Sequence, residues 1–169
     1  MEHARFMDRA LALARKALAA DDFPVGCVVV LDGEIIAEGT RINSHGATPS
    51  ELDHAEMIAL RRLEALGDGL DHRRLTLYAT LEPCLMCYGA ILIGGIGTVV
   101  YAYEDVMGGG TACDRAQLPP LYRDNDIRLV PGVRRAESLS LFQAFFRHPH
   151  NRYWCDSLLA HYTLAQSPR

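Results

Sequence analysis

No stretch of this chain stays apolar for the ~20 residues a helix needs to cross a bilayer, so a membrane partner is not expected. No block of five or six like charges occurs either, and the net charge is −4 with a pI near 5.9. A protein whose main task is gripping a phosphate backbone concentrates lysine and arginine, which argues against a polynucleotide as the principal partner. The opening segment MEHARFMDRALALARKALAADD lacks the cationic flank and unbroken apolar core of a secretory signal, so the cytoplasm is the expected location. Cysteines number only five, odd and irregularly spaced, which does not suit a secreted disulfide framework. In a reducing compartment they are thiols or metal ligands. Internal repeats, low-complexity tracts and domain linkers are also lacking.

What is present is an ordinary globular composition, 49% apolar and 22% charged over 169 residues. A chain of that length buries roughly two-thirds of its unfolded surface and needs no staple. One domain over 1–169 is expected, with C-terminal helices from about 136.

Phe6, Ala10, Leu13, Ala14 and Ala17 recur at helical spacing until DDFPVG ends the pattern. VGCVVVLDGEIIAEGT then reads as a hairpin, two β-rich runs joined by Asp32-Gly33. After a polar loop, Ala55, Ala59, Leu63 and Leu66 mark a helix over 54–66, with Asp53 as its expected N-cap. LTLYATL and IGTVVYAYE are strand-like and flank a helical stretch at 84–93, which predicts a parallel crossover with helices covering a sheet. The 23 or so residues from EDVMGGGT to RDND are too punctuated by glycine and proline for a regular element, and loops of that length often border a site. IRLVPGV suggests a fifth strand. Leu139, Phe142, Phe145 and Phe146 share a helical face, and a last helix is expected near 153–163.

The chemistry concentrates in two segments. TLEPCLMCYGAILIGG places Cys84 and Cys87 three apart at the start of a helix, a spacing open to a redox couple, buried thiols or half of a metal site. A catalytic zinc typically takes three protein ligands. DHAEMIAL supplies His54, with Glu56 two residues on, at the start of another helix. Helices that follow neighbouring parallel strands begin on the same edge of the sheet, so His54, Cys84 and Cys87 can meet there. A helix N-terminus also favours the thiolate form that binds metal. Taken singly, His54 suits a surface or capping histidine and Glu56 an exposed first-turn acid; together with the cysteines they point to a metal.

His-Ala-Glu at 54–56 with Pro-Cys-Leu-Met-Cys at 83–87 resembles the zinc-dependent nucleobase deaminases, which include cytidine, deoxycytidylate, guanine and tRNA adenosine deaminases. The likeness runs from PVGCVVV to about YAYED, and GVRRAESLSLFQAFF fits a related C-terminal helix. It implies a cytidine deaminase-like α/β fold, a three-layer α/β/α sandwich around a mixed five-stranded sheet. It implies Zn²⁺ held by His54, Cys84 and Cys87, with Glu56 as proton shuttle rather than ligand. The reaction it implies is hydrolytic release of ammonia from an exocyclic amine by zinc-activated water.

By the same resemblance Asn43 bonds the base ring, and Val25, Gly26 and Ala55 line the base pocket. Asn43 also suits a plain turn, and Gly26 a plain strand entry. Asp114, Tyr153 and Trp154 are further candidates for reading a flat heterocycle, because in some guanine deaminases a C-terminal segment closes over the site. Aromatic pairs near a chain end also serve packing. Cys27, Cys113 and Cys155 read first as small buried apolar residues. A small nucleobase or nucleoside is the expected substrate, with a free purine such as guanine favoured. Wobble adenosine in tRNA and cytidine-like pyrimidines stay open, tRNA being disfavoured by charge. A non-catalytic zinc-stabilised module is the alternative from another class. A homodimer is expected.

Overall fold

The computed structural model describes residues 2–167. Helix α1 (Glu2–Ala19) buries Phe6, Met7, Ala10, Leu11, Leu13, Ala14 and Ala17, the face its periodicity marks. Strands β1 (Gly26–Leu31) and β2 (Glu34–Thr40) form the hairpin. Asp32 and Gly33 both take positive φ, 52° and 82°, which is why Asp-Gly suits this two-residue turn. There follow α2 (Ala55–Glu64), β3 (Thr76–Leu81), α3 (Leu85–Ile93) and β4 (Thr98–Tyr103). The chain ends with α4 (Pro120–Arg123), β5 (Arg128–Val130), α5 (Arg135–Arg147) and α6 (Leu158–Ala165).

The five strands make one sheet in the order β2-β1-β3-β4-β5. β1 is antiparallel to both of its neighbours, while β3, β4 and β5 run parallel. Alternation along the central strands sorts side chains between two apolar layers. Val28, Val30, Tyr78, Val100 and Ala102 pack with α1 on one face. Cys27, Val29, Leu77, Ala79 and Val99 meet Ala59, Leu63 and Ile91 of α2 and α3 on the other. This is the three-layer α/β/α arrangement with a mixed sheet.

Five local readings need correction. α2 is capped by the His54 backbone, not by Asp53, whose carboxylate instead accepts a hydrogen bond from Asn43 Nδ2 at 2.9 Å. The last helix starts at Leu158, because Ser157 Oγ accepts from Ala160 N at 3.1 Å and caps it there; residues 153–157 form a turn. β5 spans three residues, fewer than IRLVPGV suggests, and the long segment after β4 contains a 3₁₀ turn at Arg115–Gln117 as well as α4. The strands leading into α2 and α3 are not neighbours. β2 and β3 share a direction but are separated by antiparallel β1, so both helices still begin at one edge.

Close approach of α2 to the sheet depends on Gly39. A Cβ there would lie 1.9 Å from the Ala55 carbonyl oxygen, at the first turn of α2. Gly89, within α3, would place a Cβ in open space. The two alanine substitutions therefore have opposite signs. Gly39→Ala is expected to cost ~1–3 kcal/mol through overpacking, and Gly89→Ala to stabilise by ~0.5–1 kcal/mol through helix propensity, both read from urea unfolding.

Candidate metal centre and substrate pocket

At the edge where β2 and β3 end, the first residues of two helices face each other. His54 is the N-cap of α2 and Cys84 the N-cap of α3, and Cys87 lies in the first turn of α3. Neither N-cap side chain makes a capping hydrogen bond to its helix, so both can turn toward a shared partner. His54 Nδ1 lies 3.6 Å from Cys84 Sγ and 3.5 Å from Cys87 Sγ. One ligand atom from each of the three falls within 4.8 Å of the others, and among the described residues they form the group able to hold a metal ion. Sulfur bound at ~2.3 Å and nitrogen at ~2.0 Å on a tetrahedral ion stand roughly 3.5 Å apart. The observed separations fit zinc without rearrangement.

Electrostatics agree with the donor set. The Cys84 thiol is brought down to about 4, chiefly by a hydrogen bond from Cys87 and secondarily by His54, against the opposing effect of burial. The Cys87 thiol moves far upward, because it is the one that keeps the proton it shares with Cys84, and because it is buried. A divalent cation held there would replace that shared proton, with both sulfurs as thiolates. Burial by itself lowers the His54 pKa, but the bond to Cys84 and the negative charges of Glu56 and Cys84 outweigh it, and the net shift is upward.

Glu56 stands in the first turn of α2 yet is only 3% exposed. A carboxylate without water is costly, and burial pushes its pKa up to about 7 against the opposing pull of His54. Near neutral pH it is poised between its two forms, the condition for giving and taking a proton. Sequence position alone suggests an exposed, dipole-stabilising acid. Its burial comes from the tight seat of α2 on the sheet.

A cavity of about 140 Å³ opens beside these groups. His54, Ala55, Glu56 and Cys84 line it together with Phe23, Val25, Arg41, Leu81 and Glu82. Glu51, Asp105, Met107, Gly108, Tyr153, Trp154 and Leu159 complete the wall. Much of it comes from loops after β4 and before α6, tied down by acids and aromatics. Glu82 accepts from Asp105 N at 3.1 Å and from Thr111 Oγ1. Asp105 in turn accepts from Met107 N at 3.0 Å and Gly108 N at 2.9 Å. Tyr153 packs against Phe23 with ring centroids 5.2 Å apart and planes tilted by 59°, while the Asn151 side chain bonds both its N–H and its carbonyl. Tyr153 Oη donates to Glu51 at 2.9 Å. Trp154, 45% exposed with a left-handed backbone, stands at the rim.

Not every candidate reaches this cavity. Val25, Ala55, Tyr153 and Trp154 line it; Gly26, Asn43 and Asp114 do not. Asn43 sits exposed in a left-handed turn, its amide bound to Asp53. The close approach that Gly26 permits is to α1, where a Cβ would meet the Ala10 carbonyl oxygen at 2.1 Å, and not to a ligand. Asp114 caps the 3₁₀ turn at Arg115–Gln117, accepting from Ala116 N at 3.1 Å. Cys27 is wholly buried and burial holds its thiol protonated; Cys113 packs half-buried against the core, and Cys155 lies half-buried beside Asp156. The sequence reading missed Arg41, which is 1% exposed and lines the cavity two residues before Asn43. An arginine just past a strand is ordinarily solvated, so nothing local marks it.

Residues 1–103 match the cytidine and deoxycytidylate deaminase zinc-binding region. A tRNA-specific adenosine deaminase of Streptococcus pyogenes is 33% identical over 151 residues, covering 89% of this chain and 94% of that protein. A solved structure from work on A-to-I editing by tRNA:A34 deaminases at the wobble position superposes with a TM-score of 0.69 at 33% identity. It covers 81% of this chain and 98% of its own. A guanine deaminase structure from Nitrosomonas europaea gives a TM-score of 0.65 at 25% identity, covering 84% and 83% of the two chains. The chain therefore belongs to the cytidine and deoxycytidylate deaminase family of zinc-dependent hydrolases.

Proposed function

We propose that this protein hydrolyses the exocyclic amine of a small nucleobase or nucleoside, with a free aminopurine such as guanine as the favoured substrate. The observation that carries the deaminase reading is the convergence of His54, Cys84 and Cys87 within 4.8 Å of one another, beside the buried acid Glu56 in the same cavity wall. His54, Cys84 and Cys87 would hold the zinc. When bound there, zinc supplies the Lewis acidity that makes water a nucleophile near neutral pH.

The protein's own residues move the protons. A Glu56 carboxylate oxygen accepts one from the attacking water and passes it to a ring nitrogen, which makes the amine-bearing carbon more electrophilic. It then relays the second proton to the departing nitrogen, so that amine and water become carbonyl and ammonia. Backbone N–H groups at the start of α3 would steady the developing charge. Val25, Leu81 and Leu159 supply apolar wall, and Phe23 and Tyr153 offer aromatic surface to a flat ring.

The small-substrate reading rests on how the cavity is closed. At about 140 Å³ it is well below the ~300–1,000 Å³ of drug-sized pockets, and Tyr153, Trp154 and Leu159 form part of its wall. The net charge of −4 works in the same direction. One observation favours a second reading, wobble adenosine in tRNA: the relative that is 33% identical over 89% of the chain carries that activity in its name. A homodimer and a cytoplasmic location complete the proposal.

Ammonia release across guanine, adenine, cytosine, their nucleosides and an anticodon stem-loop tests the reading. Turnover of a free base or nucleoside is expected; turnover of the stem-loop alone supports the tRNA reading instead. Glu56→Gln is expected to keep about one zinc per chain while losing at least ~10²-fold in ammonia release, checked by metal analysis beside the assay. Cys84→Ser and Cys87→Ser, in contrast, are expected to lose zinc on dialysis and to melt at lower temperature, because metal binding here is part of folding.

A further inference from the structure

Arg41 is a cation buried beside the approach to the metal-site histidine. It directly follows β2, and its backbone N–H donates to the Val25 carbonyl at 2.9 Å, which anchors its main chain to the segment entering β1. Its side chain is almost wholly withdrawn from water. A buried guanidinium is destabilising unless its N–H groups find acceptors and its charge a counterpart. Nη1 donates to two carbonyl oxygens, those of Ile42 and, at 3.1 Å, Asp53. The Glu51 carboxylate lies 3.8 Å from Nη2, and the guanidinium carbon stands 5.9 Å from the centroid of the Tyr153 ring. The group is thus held in one place by what surrounds it.

The Asp53 carbonyl belongs to the peptide bond that leads into His54. A peptide unit is planar, so a bond that holds its oxygen also fixes the plane from which the next residue departs. His54 needs such a hold. It is an N-cap whose side chain makes no capping bond, and residues 43–52 before it contain no helix or strand. Three bonds join residues 41–43 to Asp53. Asn43 Nδ2 donates to the Asp53 carboxylate at 2.9 Å, which leaves the peptide plane free; Ile42 N reaches the Asp53 carbonyl only at 3.5 Å. The firm grip on that carbonyl is Arg41 Nη1. Hydrogen bonds that orient a metal ligand from outside matter nearly as much as the ligand itself. We propose that Arg41 is a positioning residue of the metal centre: by holding the Asp53–His54 peptide it sets the direction in which His54 presents Nδ1 to Cys84 and Cys87, at 3.6 and 3.5 Å.

This role rests on the metal assignment and not on the choice of substrate, and zinc affinity tests it without turnover. The full chain is stripped of metal, and zinc is titrated in competition with a chromophoric chelator. Arg41→Met keeps most of the side chain's bulk, removes its donors and relieves the burial of a charge, so the fold is expected to persist. Its zinc affinity is expected to fall about 10- to 100-fold, the range for losing a group that orients a metal ligand. Arg41→Gln, whose amide stops short of both carbonyls, gives the same reading should the methionine variant not fold. Nη1 alone makes both bonds, so Arg41→Lys, with several donors on one nitrogen, is expected to stay within about threefold of the wild type. In a His54→Ala background the effect of Arg41→Met is expected to shrink below about twofold, because the two residues act as one. Unchanged affinity in Arg41→Met overturns the role. So does an equal loss in the methionine and lysine variants, which would show that the donors are not what counts. An equal loss with and without His54 overturns it as well, by making the effect one of general stability. A wild type that holds no zinc would remove the metal assignment itself and the role of Arg41 with it, whereas a wild type that holds zinc as tightly as Arg41→Met would remove Arg41 alone.

Discussion

Two helix starts pressed against one edge of a sheet are the constraint on which the rest depends. Cys84 and His54 each occupy an N-cap, a position whose side chain ordinarily caps the backbone of its own helix, and here neither makes that cap bond. The sulfurs and the imidazole nitrogen point at one another across the gap, close enough to share an ion. That geometry requires α2 to sit tight on β2, which is why the Gly39 position leaves no room for a side chain. The same tight seat withdraws Glu56 from water and lifts its pKa toward neutrality. Metal site and proton shuttle thus follow from one packing decision.

Charge in the cavity has two halves with different jobs. Glu82 and Asp105 spend their oxygens on backbone N–H groups and the Thr111 hydroxyl, so they hold the loop after β4 in place. Glu56 is the group with capacity left over, for a proton. The aromatic cluster of Phe23, Phe142, Phe145 and Tyr153 ties the C-terminal segment over this region, so closure of the pocket is built into the core.

The parts of this structure legible in sequence are those set by short-range rules. Asp32-Gly33 specifies its turn, the apolar spacing of α1 and α5 gives the faces that are in fact buried, and His54, Glu56, Cys84 and Cys87 carry their spacing in the chain itself. What escaped depends on contacts distant in sequence. Whether Asn43 or Arg41 faces the cavity is decided by the path of the loop from 41 to 54, where a left-handed turn and Asp53 draw Asn43 outward. Gly26 was legible as a close approach but not as an approach to α1, because a strand residue's face is set by its register. Antiparallel β1 between β2 and β3 was equally invisible to a local reading, although it leaves the convergence of the two helices intact.

Zinc K-edge absorption on the metal-loaded protein addresses the central claim without reference to substrate. The account predicts, per zinc, two sulfur neighbours at ~2.3 Å and one imidazole nitrogen at ~2.0 Å, with no third sulfur. Three or four sulfurs, or a zinc surrounded only by nitrogen and oxygen, would contradict it.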